Sequence, residues 1–330
     1  MIKTIVFPLL KHLLWMKRRT VGYAILTYHN ISDGSNSNLS DPMTVDYASF
    51  KQQMNYVSNE LDVISIPEIV ERINSKSKVD KLYVGITFDD GFLSQYKLAT
   101  PLLENLSLPA TFFITTNFAN QTEIPQLEKW KYWIKYSNQK IRFEYNDINE
   151  KFNLKKQSDK DQLYSSIMDI IGFGVNGNPE LNSYLKRYYS DYNIPRIYMN
   201  WEEIGLLNNN PLFTIGSHSK THRNFISVKN ILNDEIFPSK SIIEQNINKE
   251  VNIFAYPFGT ARDLNNDIIQ TMNLSGYKAA FTAIGGLNNN INSPYELNRI
   301  APLRSETIDQ IRTKIYWAEE IKKIKFIVYS

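Results

Sequence analysis

Cysteine is absent from all 330 residues, which removes disulfide frameworks, thiol nucleophiles and thiolate metal sites at once. Any metal bound by this chain must be held by imidazole nitrogen and carboxylate oxygen. Histidine is nearly as scarce, with four in the whole sequence, so their positions carry weight. Charge of one sign is missing too. The formal net charge is +3, too small on a chain this long to announce a polyanion, and no nucleic-acid partner is expected. There is no unbroken apolar run of the roughly 20 residues that span a bilayer, and no small-residue cleavage site of a secretory signal. The expected location is the cytoplasm or the periphery of the inner membrane.

What is present is ordinary globular material. Hydrophobic residues make up 42% and charged residues 22%, so a substantial core forms and wholesale disorder is excluded. The length exceeds a usual domain of about 100 to 200 residues, yet a single α/β barrel fills it readily. Residues 1–20 carry Lys3, Lys11, Lys17, Arg18 and Arg19 without an acid, around Leu9, Leu10, Leu13, Leu14 and Trp15. That spacing suits a basic amphipathic helix making peripheral contact with a membrane, or equally a helix packed on the rest of the chain. Residues 21–330 are read as one domain.

Short β-rich apolar runs alternate with segments of helical period, the sign of βα units and a mostly parallel sheet. Strands are expected at residues 24–28, 82–88, 110–115, 213–217, 252–256, 279–282 and 298–301. Asp46 can cap a helix that turns Phe50, Met54, Val57 and Leu61 to one side, and Ser65 before Pro67 opens another. Further helices are expected at 96–106, 201–207, 263–273 and 307–323. That count favours a distorted (β/α) barrel over an open sheet. Between about 118 and 200 the alternation stops, and the chain turns polar, aromatic and helical, with Trp130, Tyr132, Trp133 and Tyr136 close together. The rhythm resumes at Trp201, so this stretch reads as a helical insertion in one connection, beside the active face. Its aromatics either stack on sugar rings or glue the insertion to its host. The asparagine runs at 208–210 and 288–290 read as loops. Gly172-Phe173-Gly174-Val175-Asn176-Gly177 has the glycine spacing of a dinucleotide site but not the strand before it, and is also read as a loop.

Reactive groups of a parallel barrel gather at the carboxyl ends of its strands. Five of the expected strands deliver one: the first ends in His29, the second in Asp89-Asp90-Gly91, the fourth in Ser217-His218, the fifth leads into Tyr256-Pro257-Phe258-Gly259, and the last contains Arg299. Two adjacent carboxylates repel one another unless a cation or hydrogen bonds stabilise them. His218 and His222, four apart, can share one face of a helical turn and point at one ion, with one aspartate completing the set. The other aspartate is then free to take a proton from water. Each piece has a plainer reading, since Asp-Asp-Gly is often a capped turn and a His pair often a surface pair. Ser219 after His218 excludes the zincin protease pattern.

The pieces Thr87-Phe88-Asp89-Asp90-Gly91, Pro109-Ala110-Thr111-Phe112-Phe113, His218-Ser219-Lys220-Thr221-His222 and Ala255-Tyr256-Pro257-Phe258-Gly259 resemble, in order, the motifs of the polysaccharide deacetylase family. That group is also called the NodB-homology or carbohydrate esterase family 4 group. The resemblance covers most of residues 80–300. It implies a distorted (β/α) barrel, one divalent metal ion of the zinc kind, and a carbohydrate substrate with N-acetylhexosamine units. By the same resemblance Asp89 is the catalytic base, Asp90, His218 and His222 are the metal ligands, and the Phe258 N–H helps to hold an oxyanion. Ala255 stands where many members have the arginine that orients the base, and Arg299 is the candidate to replace it. No histidine follows His222 to supply the leaving group with a proton. Leu26-Thr27-Tyr28-His29 resembles the permuted poly-N-acetylglucosamine deacetylases, which makes His29 the general acid. The expected function is N-deacetylation of acetamido sugars in a bacterial surface polysaccharide or its precursor. Asp89-Asp90 alone also fits a metal-dependent glycosyltransferase, and a non-catalytic carbohydrate-binding relative is the third reading.

Overall fold

The computed structural model describes residues 20–34, 39, 41–122, 124–171, 178–289, 291, 293–304 and 306–316. The basic segment 1–19, the glycine run 172–177 and the end of the expected last helix lie outside the described residues. No helix among the described residues is long and apolar enough to cross a membrane.

Six parallel strands form the barrel wall: β1 (Gly22–Tyr28), β2 (Leu82–Phe88), β3 (Ala110–Ile114), β4 (Phe213–Ser217), β5 (Ile253–Ala255) and β6 (Ala279–Phe281). Their order in the sheet is their order in the chain, with the short strand Asp62–Val63 added beside β2. Every residue of β1, β3, β5 and β6 is buried. A parallel strand covered on both faces reads as a continuous apolar run, which is why sequence alone located these strands so well.

The expected seventh strand is present only as two parallel bridges, Phe281 with Leu297 and Leu26 with Ile300. The Leu297 N–H donates to Ala280 and the Ile300 N–H to Ile25, so this segment touches both edge strands and joins β6 to β1. Asn288, expected in a loop, is buried and ties the same seam. Its amide donates to the Tyr23 and Asn298 carbonyls at 3.2 and 2.9 Å, and its side-chain oxygen accepts from the Asn298 N–H at 2.8 Å.

The helices follow from capping and period. Helix α1 (Tyr47–Glu60) buries Phe50, Met54 and Val57 as expected. Helix α2 (Ile66–Asn74) is capped by Ser65 and carries Pro67 in its first turn. Its Ile66, Ile69 and Val70 pack with Tyr23, Ile25, Phe113 and Phe281 in one cluster. The alternate residues Ala24, Leu26, Val84 and Ile86 join the larger cluster with α1 and the other helices. The expected helix at 96–106 begins as a π turn, Gln95–Ala99, and continues as α3 (Thr100–Asn105).

The long connection between β3 and β4 holds α4 (Gln126–Tyr136), α5 (Gln157–Ile171), α6 (Pro179–Tyr189) and, back on the barrel, α7 (Trp201–Asn209). It is not purely helical: Lys140–Tyr145 and Ile148–Asn153 form an antiparallel hairpin. Helical period was the wrong template there, because Ile141 and Phe143 are buried between exposed neighbours, which is the period of a strand. Trp130 and Trp133 are buried in a separate apolar cluster with Leu163, Leu181 and Phe143. The tryptophans thus build a core and do not face a ligand. Helices α8 (Phe237–Ile247), α9 (Asn266–Asn273) and α10 (Ile308–Tyr316) complete the outer layer.

The Asp46 carboxylate accepts from the Ser49 N–H at 2.8 Å and the Ser49 hydroxyl at 2.7 Å, capping α1. Burial would raise its pKa, but these bonds hold it below the ordinary carboxylate value. Asp46→Ala is expected to cost about 1 kcal/mol at neutral pH, lowering Tm by roughly 2–4 °C. A depressed acid stabilises above its unfolded pKa and loses that effect as pH falls through its folded pKa. Thermal unfolding of both proteins should therefore differ at neutral pH and converge in acid.

Candidate active site

The site lies where the strands end. Asp89 and Asp90 follow β2 directly, and the chain turns there through two left-handed residues, Asp90 at φ 72° and Gly91 at φ 79°. Aspartate tolerates that region better than most residues, and glycine enters it freely. A Cβ on Gly91 would also sit 3.2 Å from Ile114. This turn lets two consecutive carboxylates serve one pocket from different directions.

Asp89 is fully enclosed and clamped. Arg299 meets it fork to fork, Nη1 to Oδ1 and Nη2 to Oδ2, both at 2.7 Å. Arg299 is itself fixed, with Nε donating to the Thr282 carbonyl at 2.7 Å and Nη1 to the Thr27 hydroxyl at 3.1 Å. His29 Nε2 stands 3.8 Å from Asp89 Oδ2, and His218 Nε2 stands 4.0 Å from the same atom. Burial alone would raise the Asp89 carboxyl. The adjacent Arg299, by its charge and its hydrogen bonds, outweighs it and holds the group below the usual carboxylate range, so Asp89 is ionised at neutral pH.

Asp90 faces the histidines. Its Oδ1 lies 3.2 Å from His222 Nε2 and 3.5 Å from His218 Nε2. The Asp90, His218 and His222 ligand atoms all lie within 4.8 Å of one another. That Oδ1 is buried and has no hydrogen-bond partner among the described residues, a costly state unless a cation satisfies it. His218 Nδ1 faces the Ala255 carbonyl at 2.8 Å. A carbonyl only accepts, so Nδ1 carries the proton and Nε2 offers its lone pair to the cluster. Burial pushes His218 down to about 4, which keeps it neutral. His222 is partly buried, and desolvation would lower it as well, but Asp90 beside it holds it above its ordinary value. Two imidazoles and a carboxylate converging on one point fit a divalent ion with open coordination positions.

Aromatic rings wall the site. The His222 ring has Phe118 at 5.9 Å and Phe258 at 5.0 Å, and Tyr198 stacks on Phe118 at 4.4 Å. Phe118 and Tyr198 stand at the two ends of the long connection, which therefore begins and ends beside the site. Phe258 follows Pro257 at φ 62°, with Gly259 at φ 60°. A Cβ on Gly259 would meet the Ala283 nitrogen at 2.9 Å, so that turn requires glycine.

With this geometry in view, the sequence matches the family model for polysaccharide deacetylase over residues 76–159 and 175–280, more than half of the chain. The chain belongs to the polysaccharide deacetylase family. It is on that ground an amide hydrolase, which sets aside the glycosyltransferase reading. Solved structures of similar fold include the deacetylase PplD of Streptococcus pyogenes in complex with acetate, at 17% identity and TM-score 0.58 over 90% of this chain and 99% of that one. A de-N-acetylase from Aggregatibacter actinomycetemcomitans is 18% identical at TM-score 0.57 over 88% of this chain and 99% of its own. IcaB from Ammonifex degensii is 16% identical at TM-score 0.57, over 91% and 98%. No protein of curated function matches the sequence.

The deacetylase differs from the sequence expectation in one local respect. His218 and His222 do not share a face of a helical turn; residues 218–224 form an irregular loop with Ser219 at φ 67° and His222 at φ 58°. The pair converges because the chain reverses twice, not because of helical spacing. Sequence reading also missed Thr27 and Gln95. Thr27 is two residues before His29 on the same face of β1, a signal that strand period could have supplied. Gln95 donates to the Asp89 carbonyl at 2.6 Å and the His29 carbonyl at 3.0 Å, tying two strand ends together, and nothing in the sequence marks it.

Arg299→Met would leave the Asp89 carboxylate buried and unpaired, and a loss of roughly 3–5 kcal/mol is expected. Urea unfolding measures it. A change below about 1 kcal/mol would mean that the clamp is not a major tie.

Proposed function

We propose that this chain is a metal-dependent N-deacetylase of acetamido sugars in a bacterial surface polysaccharide or its precursor. The convergence of Asp90, His218 and His222 beside the clamped Asp89 carries the reading. Asp90, His218 and His222 would hold one divalent ion, taken to be zinc. When bound, such an ion supplies Lewis-acid polarisation of the acetamide carbonyl and lowers the pKa of the attacking water.

The protein groups do the rest. Asp89, ionised and immobilised by Arg299, takes the proton of the water as general base. Arg299 keeps its carboxylate aimed and does not itself move a proton. The Phe258 N–H, which has no acceptor among the described residues, donates to the oxygen that gains charge as water adds. His29, on the other side of Asp89, donates a proton to the leaving amine, so that acetate and a free amino sugar depart. Its Nδ1 is buried without a partner among the described residues, and its Nε2 faces the reacting region. Residues 21–330 form the deacetylase domain with 118–200 as an insertion, and residues 1–20 give it peripheral membrane contact.

Metal-loaded protein incubated with N-acetylated hexosamine oligomers should release acetate and free amine in equal amounts. Retained sugar binding with no product from any amino-sugar substrate would leave only the non-catalytic reading. Asp89→Asn should keep the metal and lose most turnover, whereas His218→Ala should lose the metal itself. His29→Ala should remove the limb of the pH-rate profile that reports the general acid. An unchanged profile would reassign that role.

A further inference from the structure

The four residues from Ser219 to His222 decide whether the two imidazoles meet, and their backbone is strained at both ends. Non-glycine residues in the left-handed region cost about 1–3 kcal/mol each and persist only where the surroundings over-determine them. Two sets of bonds do so here. On one side, the Thr115 hydroxyl donates to the His218 carbonyl at 3.1 Å, the Thr116 N–H to the Ser219 carbonyl at 3.3 Å and the Asn117 N–H to the Lys220 carbonyl at 2.9 Å. On the other side stands a single side chain, Glu235.

Glu235 is completely buried, an uncommon state for an acid. One of its oxygens accepts from the Lys220 N–H at 3.1 Å and the Thr221 N–H at 2.8 Å. The other accepts from the Thr221 hydroxyl and lies 3.3 Å from Arg223 Nε. Three donors on Lys220 and Thr221 thus meet one carboxylate, and the Arg223 guanidinium, whose Nε donates to the Thr221 hydroxyl at 3.0 Å, adds its charge beside it. Glu235 comes from a π turn, Leu232–Ile236, that leads into α8. Such a turn holds one residue more than an α turn and is frequent at functional sites. No core packing needs a carboxylate at this point, since apolar groups of the same volume would fill it without desolvating a charge.

We infer that Glu235 is a positioning residue for metal binding: it holds the 219–222 loop in the strained form that brings His222 to Asp90 and His218. The inference rests on the metal reading above and extends it to a group outside the ligand set. A glutamine at this position can still accept both backbone N–H groups through its one oxygen, although it loses the Arg223 pair. An alanine satisfies none of the three donors.

The test uses the full chain and Zn2+ itself. Calorimetric titration of the metal-free protein should show Glu235→Ala binding Zn2+ about 10–100-fold more weakly than wild type, with Glu235→Gln restoring most of the affinity. The Co2+-substituted Glu235→Ala protein should have an altered visible spectrum, and at saturating metal its kcat should fall with little change in KM. A role confined to folding would lower Tm and leave the affinity and spectrum of the folded protein unchanged. A folded Glu235→Ala protein with wild-type Zn2+ affinity and Co2+ spectrum overturns the inference. Should Glu235→Ala not fold, Thr221→Val decides in its place, with several-fold weaker Zn2+ binding expected and unchanged binding overturning the assignment. A wild-type chain that binds no Zn2+ fails the metal reading itself, and this inference with it.

Discussion

The two-point contact between Arg299 and Asp89 is the interaction that ties the seam of the barrel to the candidate site. Arg299 belongs to the segment 297–300, which bonds to β6 through the backbone of Leu297 and to β1 through that of Ile300, with Asn288 bracing the same seam. The guanidinium strengthens this seam from within by reaching across to Asp89 just after β2, to Thr27 on β1 and back to Thr282 just after β6. A charged pair in the interior thus reinforces the backbone bonds of a seam where no full seventh strand forms. Such a pair is stabilising only if all its donors and acceptors are satisfied, and here the Arg299 Nε and the second N–H of Nη1 find acceptors as well, in the Thr282 carbonyl and the Thr27 hydroxyl. The same contact that braces the seam also immobilises the Asp89 carboxylate at the candidate site.

Much of this was legible in the sequence, and for a physical reason. Strands buried on both faces must be apolar throughout, and their reactive groups must follow at one end. Reading β2 as Leu82 to Phe88 therefore led directly to Asp89 and Asp90, and β4 led to His218. What was not legible depended on tertiary geometry. Helical spacing brought His218 and His222 together for the wrong reason, because left-handed turns at Ser219 and His222 leave no trace in composition. Asn288 looked like part of a polar loop, although its amide is consumed in bracing β1 against residue 298. Glu235 and Gln95 are polar residues buried by long-range contacts, and no periodic pattern separates them from the exposed glutamates and glutamines nearby.

The long connection after β3 is held to the mouth of the barrel by a different electrostatic device. Lys131 on α4 lies 2.9 Å from Asp41 and 2.8 Å from Glu128, while Asp41 also accepts from the Met43 N–H and the Thr44 hydroxyl. One cation shared by two carboxylates cannot satisfy both equally. Asp41, with the additional bonds, stays below the ordinary carboxylate value despite burial. Glu128 is raised, chiefly by burial, and the charges of Asp41 and Asp90 add to it. The apolar cluster around Trp130 and Trp133 gives this segment its own rigidity, so the ion triad can act as its tie to the barrel.

Two adjacent aspartates with unlike surroundings are the most economical way to assign two roles. Asp89 faces a permanent cation, Arg299, and keeps its negative charge whatever else is bound; it needs no metal to remain a base. Asp90 faces imidazoles, whose charge depends on protons. His218, forced neutral by burial and oriented by its bond to Ala255, presents a lone pair and no charge. His222 is drawn toward the protonated form by Asp90, which identifies the place where positive charge is wanted. A proton and a divalent ion compete for the same Nε2, and the ion satisfies the buried Asp90 Oδ1 and both rings together, which a proton cannot do. The environments therefore separate the pair before any substrate arrives: Asp89 is fixed against a permanent cation, whereas the Asp90 Oδ1 faces two imidazole nitrogens.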